Sequence, residues 1–60
     1  MSALLLKTGT KPDGEMAFLF GNTNADEELY YFVIADKLPE YFDRYEDAFK
    51  AYQRRIGEVQ

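Results

Sequence analysis

A run of apolar residues at helical spacing near the C-terminal end constrains everything that precedes it. Leu38, Phe42, Tyr45, Phe49, Tyr52 and Ile56 recur at alternating steps of four and three, with Tyr41, Ala48 and Val59 beside them. At 3.6 residues per turn they form one stripe. Glu40, Asp43, Asp47, Lys50 and Arg54 take the opposite side. The spacing predicts an amphipathic helix over residues 39–57 whose stripe must be covered. Two start signals compete. Pro39 suits a first helical position, and Asp43 with Glu46 three residues on makes a capping box. The unbroken phase from Leu38 through Phe42 into Tyr45 favours the earlier start. Glu46 and Lys50 form an i,i+4 pair, Lys50, Arg54 and Arg55 complement the helix dipole, and Gly57 supplies a stop.

The preceding chain is too finely punctuated for further helices. Residues 3–10 carry Ala3, Leu4, Leu5, Leu6 and then polar residues, which reads as a strand. Lys11-Pro12-Asp13-Gly14 follows. Proline presets the dihedral of the second turn position, Asp tolerates the third, and Gly14 takes the left-handed conformation of a bulged three-residue hairpin loop. Closing that loop with Lys11 opposite Glu15 sets Leu6 against Phe20, Thr8 against Phe18 and Thr10 against Met16. Strands are expected over 15–21 and 29–36, the latter rich in aromatic and β-branched residues. Gly9, Gly14 and Gly21 read as turn glycines. The expected fold is α+β: a three-stranded antiparallel meander with a C-terminal amphipathic helix on one face (β-β-β-α), in one domain spanning 1–60.

Both faces of that meander are apolar, and one helix can cover only one of them. With the helix over Leu4, Leu6, Phe18, Phe20, Phe32 and Ile34, the residues Leu5, Ala17, Leu19, Tyr31 and Val33 look outward. An exposed apolar face of that kind marks an interface. Leu5, Leu19, Tyr31, Val33 and Tyr41 are therefore the expected partner contacts, and pairing of like sheets makes a homodimer the simplest assembly.

Length and chemistry narrow the function. A 60-residue chain buries only about 60% of the surface it exposes when unfolded, so its stability is small and a partner matters. It has no histidine and no cysteine, which removes the usual proton-transfer group, the thiolate nucleophile and disulfides. Ser2 and the threonines have no histidine to activate them. No catalytic residue, cofactor site or metal site is expected. Asn22, Asn24, Asp26 and Glu28 alternate like the first ligands of a calcium loop, but Glu27 and Val33 stand where that loop needs glycine and a bidentate glutamate. A net charge of −4 disfavours direct nucleic-acid and anionic-membrane contact. Leu29–Ala35, the longest apolar stretch, is too short to cross a bilayer, and a cysteine-free chain suits the reducing cytoplasm.

The expectation is a small acidic protein-protein interaction module, an inhibitor or adaptor of the kind compact viral and bacterial accessory genes encode. Two alternatives remain. Asp36, Glu40, Asp43 and Asp47 would form a carboxylate stripe on a helix beginning near Asp36, as a nucleic-acid mimic presents to a DNA- or RNA-binding protein. Otherwise the chain completes a larger assembly as a small structural subunit.

Overall fold

A computed structural model describes residues 3–57; Val59 lies outside them. Four strands run antiparallel in sequence order: β1 (Leu4–Thr10), β2 (Met16–Thr23), β3 (Leu29–Ile34) and β4 (Glu40–Phe42). The helix α1 (Tyr45–Arg55) follows them. The class is α+β as expected, with a fourth strand where the sequence pattern suggested the first turn of the helix.

Both long hairpins close by the same local chemistry. In the first, Lys11 N donates to Glu15 O at 2.7 Å and Gly14 N to Lys11 O at 2.9 Å. Gly14 has φ 93°, and Asp13 Oδ1 accepts from Glu15 N at 2.9 Å. The second repeats the pattern: Asn24 N donates to Glu28 O and Glu27 N to Asn24 O, both at 3.0 Å. Here Asn24 Oδ1 accepts from the Asp26 and Glu28 amides, and Glu27 takes the left-handed position at φ 61°. Asn24 thus organises a turn.

The register matches expectation at Thr8–Phe18 and Thr10–Met16 and departs beyond them. An irregularity between Leu5 and Lys7 sets Leu5, not Leu6, opposite Phe20. Such a bulge inserts one extra residue and returns the strand to the other face.

The helix begins at Tyr45 because Glu40–Phe42 are taken up by the sheet. They pair with β3 as Val33–Glu40, Phe32–Tyr41 and Tyr31–Phe42. The N-cap is Arg44, extended at φ −119° and ψ 140° with no side-chain cap hydrogen bond, so the Asp43–Glu46 box does not set the start. Glu46 and Asp47 in the first turn and Arg54 and Arg55 in the last suit the dipole. At the far end Gly57 has φ 83° and its amide donates to Arg54 O, the stop expected there.

The helix lies on the face opposite to the one expected. The buried core among the described residues is Ala17, Leu19, Val33, Ala48 and Tyr52, with Tyr31, Phe42, Phe49 and Ile56 packed against it. Leu19 and Val33, expected to look outward, are 0% and 1% exposed. Small residues decide the choice. A Cβ on Gly9 would sit 2.7 Å from Tyr52 Oη and 3.1 Å from Ile56 Cγ2, so the side chains of Tyr52 and Ile56 reach over β1 at Gly9. On Gly21 a Cβ would meet Leu6 Cδ1 at 3.3 Å. These glycines lie within strands and not in turns. Gly9 pairs with Ala17, and these two small residues leave room for the Tyr52 side chain; a face of phenylalanines would hold the helix off.

Candidate protein-binding face

The strand alternation that sends Ala17, Leu19 and Val33 to the helix sends their neighbours to the bare side of the sheet. Phe18 pairs with Ile34, Phe20 with Phe32, Asn22 with Tyr30 and Phe32 with Tyr41. Five rings on this side form a connected lattice. Phe20 and Phe32 stack at the centre, 5.0 Å between centroids and 14° between planes. Phe18 lies 6.1 Å from Phe20. Tyr30 is 6.0 Å from Phe32, and Tyr41 is 5.7 Å from Phe32 and 6.1 Å from Tyr30. Each contact falls in the range of favourable ring pairs.

Met16 and Leu5, both 47% exposed, extend the apolar surface, and Tyr41 at 65% forms one end of it. Thr8, Thr10 and Asn22 supply the polar atoms at the remaining paired positions, and no charged residue occupies any of them. Phe18, Phe20, Tyr30 and Phe32 are partly buried where they lean on one another, while Tyr41 is exposed.

The helix side carries a separate aromatic series. Tyr31 meets Tyr45 edge-on at 5.6 Å, Tyr45 stacks on Phe49 at 5.7 Å, and Phe49 lies 6.2 Å from Tyr52. Lys7 Nζ sits 5.5 Å from the Phe49 centroid, within cation–π reach. Beyond Tyr31, where no helix reaches, Leu4, Leu6, Leu29 and Gly21 line a shallow apolar groove.

Of the five partner contacts expected from sequence, only Leu5 and Tyr41 lie on the bare face. Leu19 and Val33 belong to the core, and Tyr31 is half-buried on the helix side. Phe18, Phe20 and Phe32, expected beneath the helix, stand on the bare face as well, with Tyr30 beside them. The signal that finds them is the small pair Gly9 and Ala17, opposite each other in β1 and β2, which marks the other face as the helix seat.

The carboxylate stripe does not assemble. Asp36 lies in the bend after β3, Glu40 in β4, Asp43 in the bend before α1, and only Asp47 on the helix. Asp36 and Glu40 are engaged in a charge cluster. Lys11 Nζ donates to Ala35 O at 2.7 Å and to Asp36 Oδ1 at 3.0 Å. Arg55 Nη1 donates to Asp36 Oδ2, and Arg55 Nη2 to Glu40 Oε1 at 2.7 Å. The hydrogen bond and charge of Lys11 hold the Asp36 carboxyl below its ordinary value, with Arg55 adding to the effect. The Asp36 hydrogen bond raises Lys11, and Glu40 raises Arg55. The cluster ties the first hairpin, the bend after β3, β4 and the helix end together.

Among the described residues, no group of three or more acidic or other metal-binding side chains converges to hold a metal ion. No described helix is long and apolar enough to cross a membrane. No family model, curated protein or solved structure matches the chain.

Proposed function

We propose that this chain is a small acidic protein-interaction module, an inhibitor or adaptor in a reducing, cytoplasmic setting, that works by contact through the bare aromatic face. The observation that carries the reading is the lattice of Phe18, Phe20, Tyr30, Phe32 and Tyr41 on a sheet face that, among the described residues, no helix covers and no charged residue at a paired position interrupts. Aromatic residues are enriched in the centres of protein contacts, where large rings give area at low entropic cost. Stacked rings on a sheet also suit nucleic-acid bases, but that use needs flanking cations. The net charge of −4 and the uncharged face argue for protein. Binding rather than catalysis fits a chain without histidine or cysteine. The nucleic-acid mimic loses its support, since Asp36 and Glu40 are tied to Lys11 and Arg55.

The test is affinity capture with the tagged chain and three variants, read by mass spectrometry. Tyr41→Lys and Phe20→Lys are expected to lose the protein that the parent chain captures, while the pair Asp43→Lys and Asp47→Lys retains it. Retention by both face variants, with loss in the acidic pair, would reverse the assignment in favour of the carboxylates.

A further inference from the structure

Resting on the reading of the bare sheet as a contact surface, we infer that its occupant is a second copy of this chain. The two copies pack face to face about a two-fold axis near Phe20 and Phe32, with the helices outermost. The first argument is the distribution of bulk. The helix-side core contains five buried residues, two of them alanine, while Phe18, Phe20, Phe32 and Ile34 stand on the other side of the same strands. A domain is built from layers that cover each other's apolar faces. The described residues supply two layers and leave Phe18, Phe20, Phe32 and Ile34 without a third. A sheet covering a like sheet is the aligned sandwich arrangement, with about 10 Å between layers filled by inward side chains.

The second argument is charge. Two acidic chains repel, yet the paired positions of this face hold no charged side chain, so no carboxylate is buried against another. Repulsion is then left to the rims, where salt screens it. A basic partner would show the opposite salt dependence.

The third is area. Four strands at about 4.8 Å spacing, each rising about 3.3 Å per residue, give a face about 19 Å wide that is about 20–26 Å long over β1–β3 and about 10 Å long at the three-residue β4. Two such faces remove about 800 Å² in projection. The relief of the rings brings the total toward the ~1,200 Å² at which specific interfaces begin. Centring the axis on Phe20 and Phe32 uses the whole face, and self-complementarity needs only one sequence.

Sedimentation equilibrium and thermal melts over a concentration series, at low and high salt, test the inference. A dimer mass at tens of micromolar, tighter at high salt, with a Tm that rises with concentration, is the expected result. Tyr41→Lys, at an exposed position, should weaken dimerisation at least tenfold while keeping the circular dichroism spectrum. Phe20→Lys, on the proposed axis, should abolish it. Should Phe20→Lys fail to fold, Tyr41→Lys and the parent chain's concentration-dependent Tm still decide. A monomer mass throughout with a concentration-independent Tm overturns the inference, as does a dimer indifferent to Tyr41→Lys. A monomer whose heterologous capture is still lost in the face variants removes the second copy and leaves the protein-binding reading standing.

Discussion

Substituting Gly9 by alanine tests the face assignment by the sign of its effect. The added Cβ would lie 2.7 Å from Tyr52 Oη and 3.1 Å from Ile56 Cγ2, where ordinary contact starts at 3.4 Å. Tyr52 is 4% exposed, so its ring has little room to swing away. Overpacking of this kind costs about 1–3 kcal/mol. Alanine recovers about 0.5–1 kcal/mol through its lower backbone entropy. The net is a loss centred on about 1 kcal/mol and reaching about 2.5 kcal/mol, or a Tm lower by roughly 5–10 °C at the centre of that range. Were α1 on the other face, the methyl would project into water and the backbone contribution alone would raise Tm. Urea denaturation followed by circular dichroism gives the sign directly. A double-mutant cycle with Tyr52→Phe removes the clashing oxygen and should return about 1 kcal/mol of coupling, independent of what Tyr52→Phe costs alone. A neutral or stabilising Gly9→Ala, or zero coupling to Tyr52, would refute the packing described above.

Leu19→Ala, at a fully buried position, should cost about 2–5 kcal/mol by urea denaturation. Leu38→Ala, 79% exposed although first in the apolar stripe, should stay within about 0.5 kcal/mol. Glu27→Gly should stabilise by about 0.5–1 kcal/mol, because φ 61° strains an L-residue by about 1–2 kcal/mol and glycine returns only part of that as entropy. Asp36 is held below its ordinary value by Lys11 and Arg55, so its contribution to stability is present above the unfolded-state pKa and disappears as pH falls through the lower folded one. Asp36→Asn should flatten that acid limb in denaturation experiments across a pH series. Lys11 is raised; its contribution is full below the unfolded value and fades as pH climbs through the higher folded one, which Lys11→Met should abolish.

Local chemistry was legible where a short segment decides its own conformation. Pro12, Asp13 and Gly14 specify their loop without reference to the rest of the fold, and Gly57 ends the helix as its position implies. The second loop reaches the same geometry with Glu27 at the left-handed position, where sequence preference would place glycine or asparagine. Asn24 compensates by accepting from two amides, a bond pattern that residue type alone does not announce. The helix start was misread for a related reason. Phe42 and Tyr45 are three apart, which continues a helical stripe, yet Tyr41 and Phe42 also alternate across a strand. Pairing with Phe32 and Tyr31 settled the matter through contacts distant in sequence.

Period-two alternation identifies two faces without saying which is inside, and here both qualify. Met16-Ala17-Phe18-Leu19-Phe20-Gly21 offers methionine and two phenylalanines on one side, alanine, leucine and glycine on the other. Hydrophobicity alone selects the phenylalanines for the core, which is how the expected contacts came to include Leu19 and Val33. Volume selects the reverse. A helix packs only where the surface beneath it is low, and Gly9 and Ala17 form such a surface, with Ala48 and Tyr52 of the helix buried above the sheet. Rings that do not fit beneath the helix contact one another across the strands, which leaves Phe18, Phe20, Tyr30 and Phe32 partly buried and Tyr41 exposed. The same inequality that seats the helix therefore builds the open face. Enlarging Gly9 or Ala17 would loosen the core and the scaffold of the open face together.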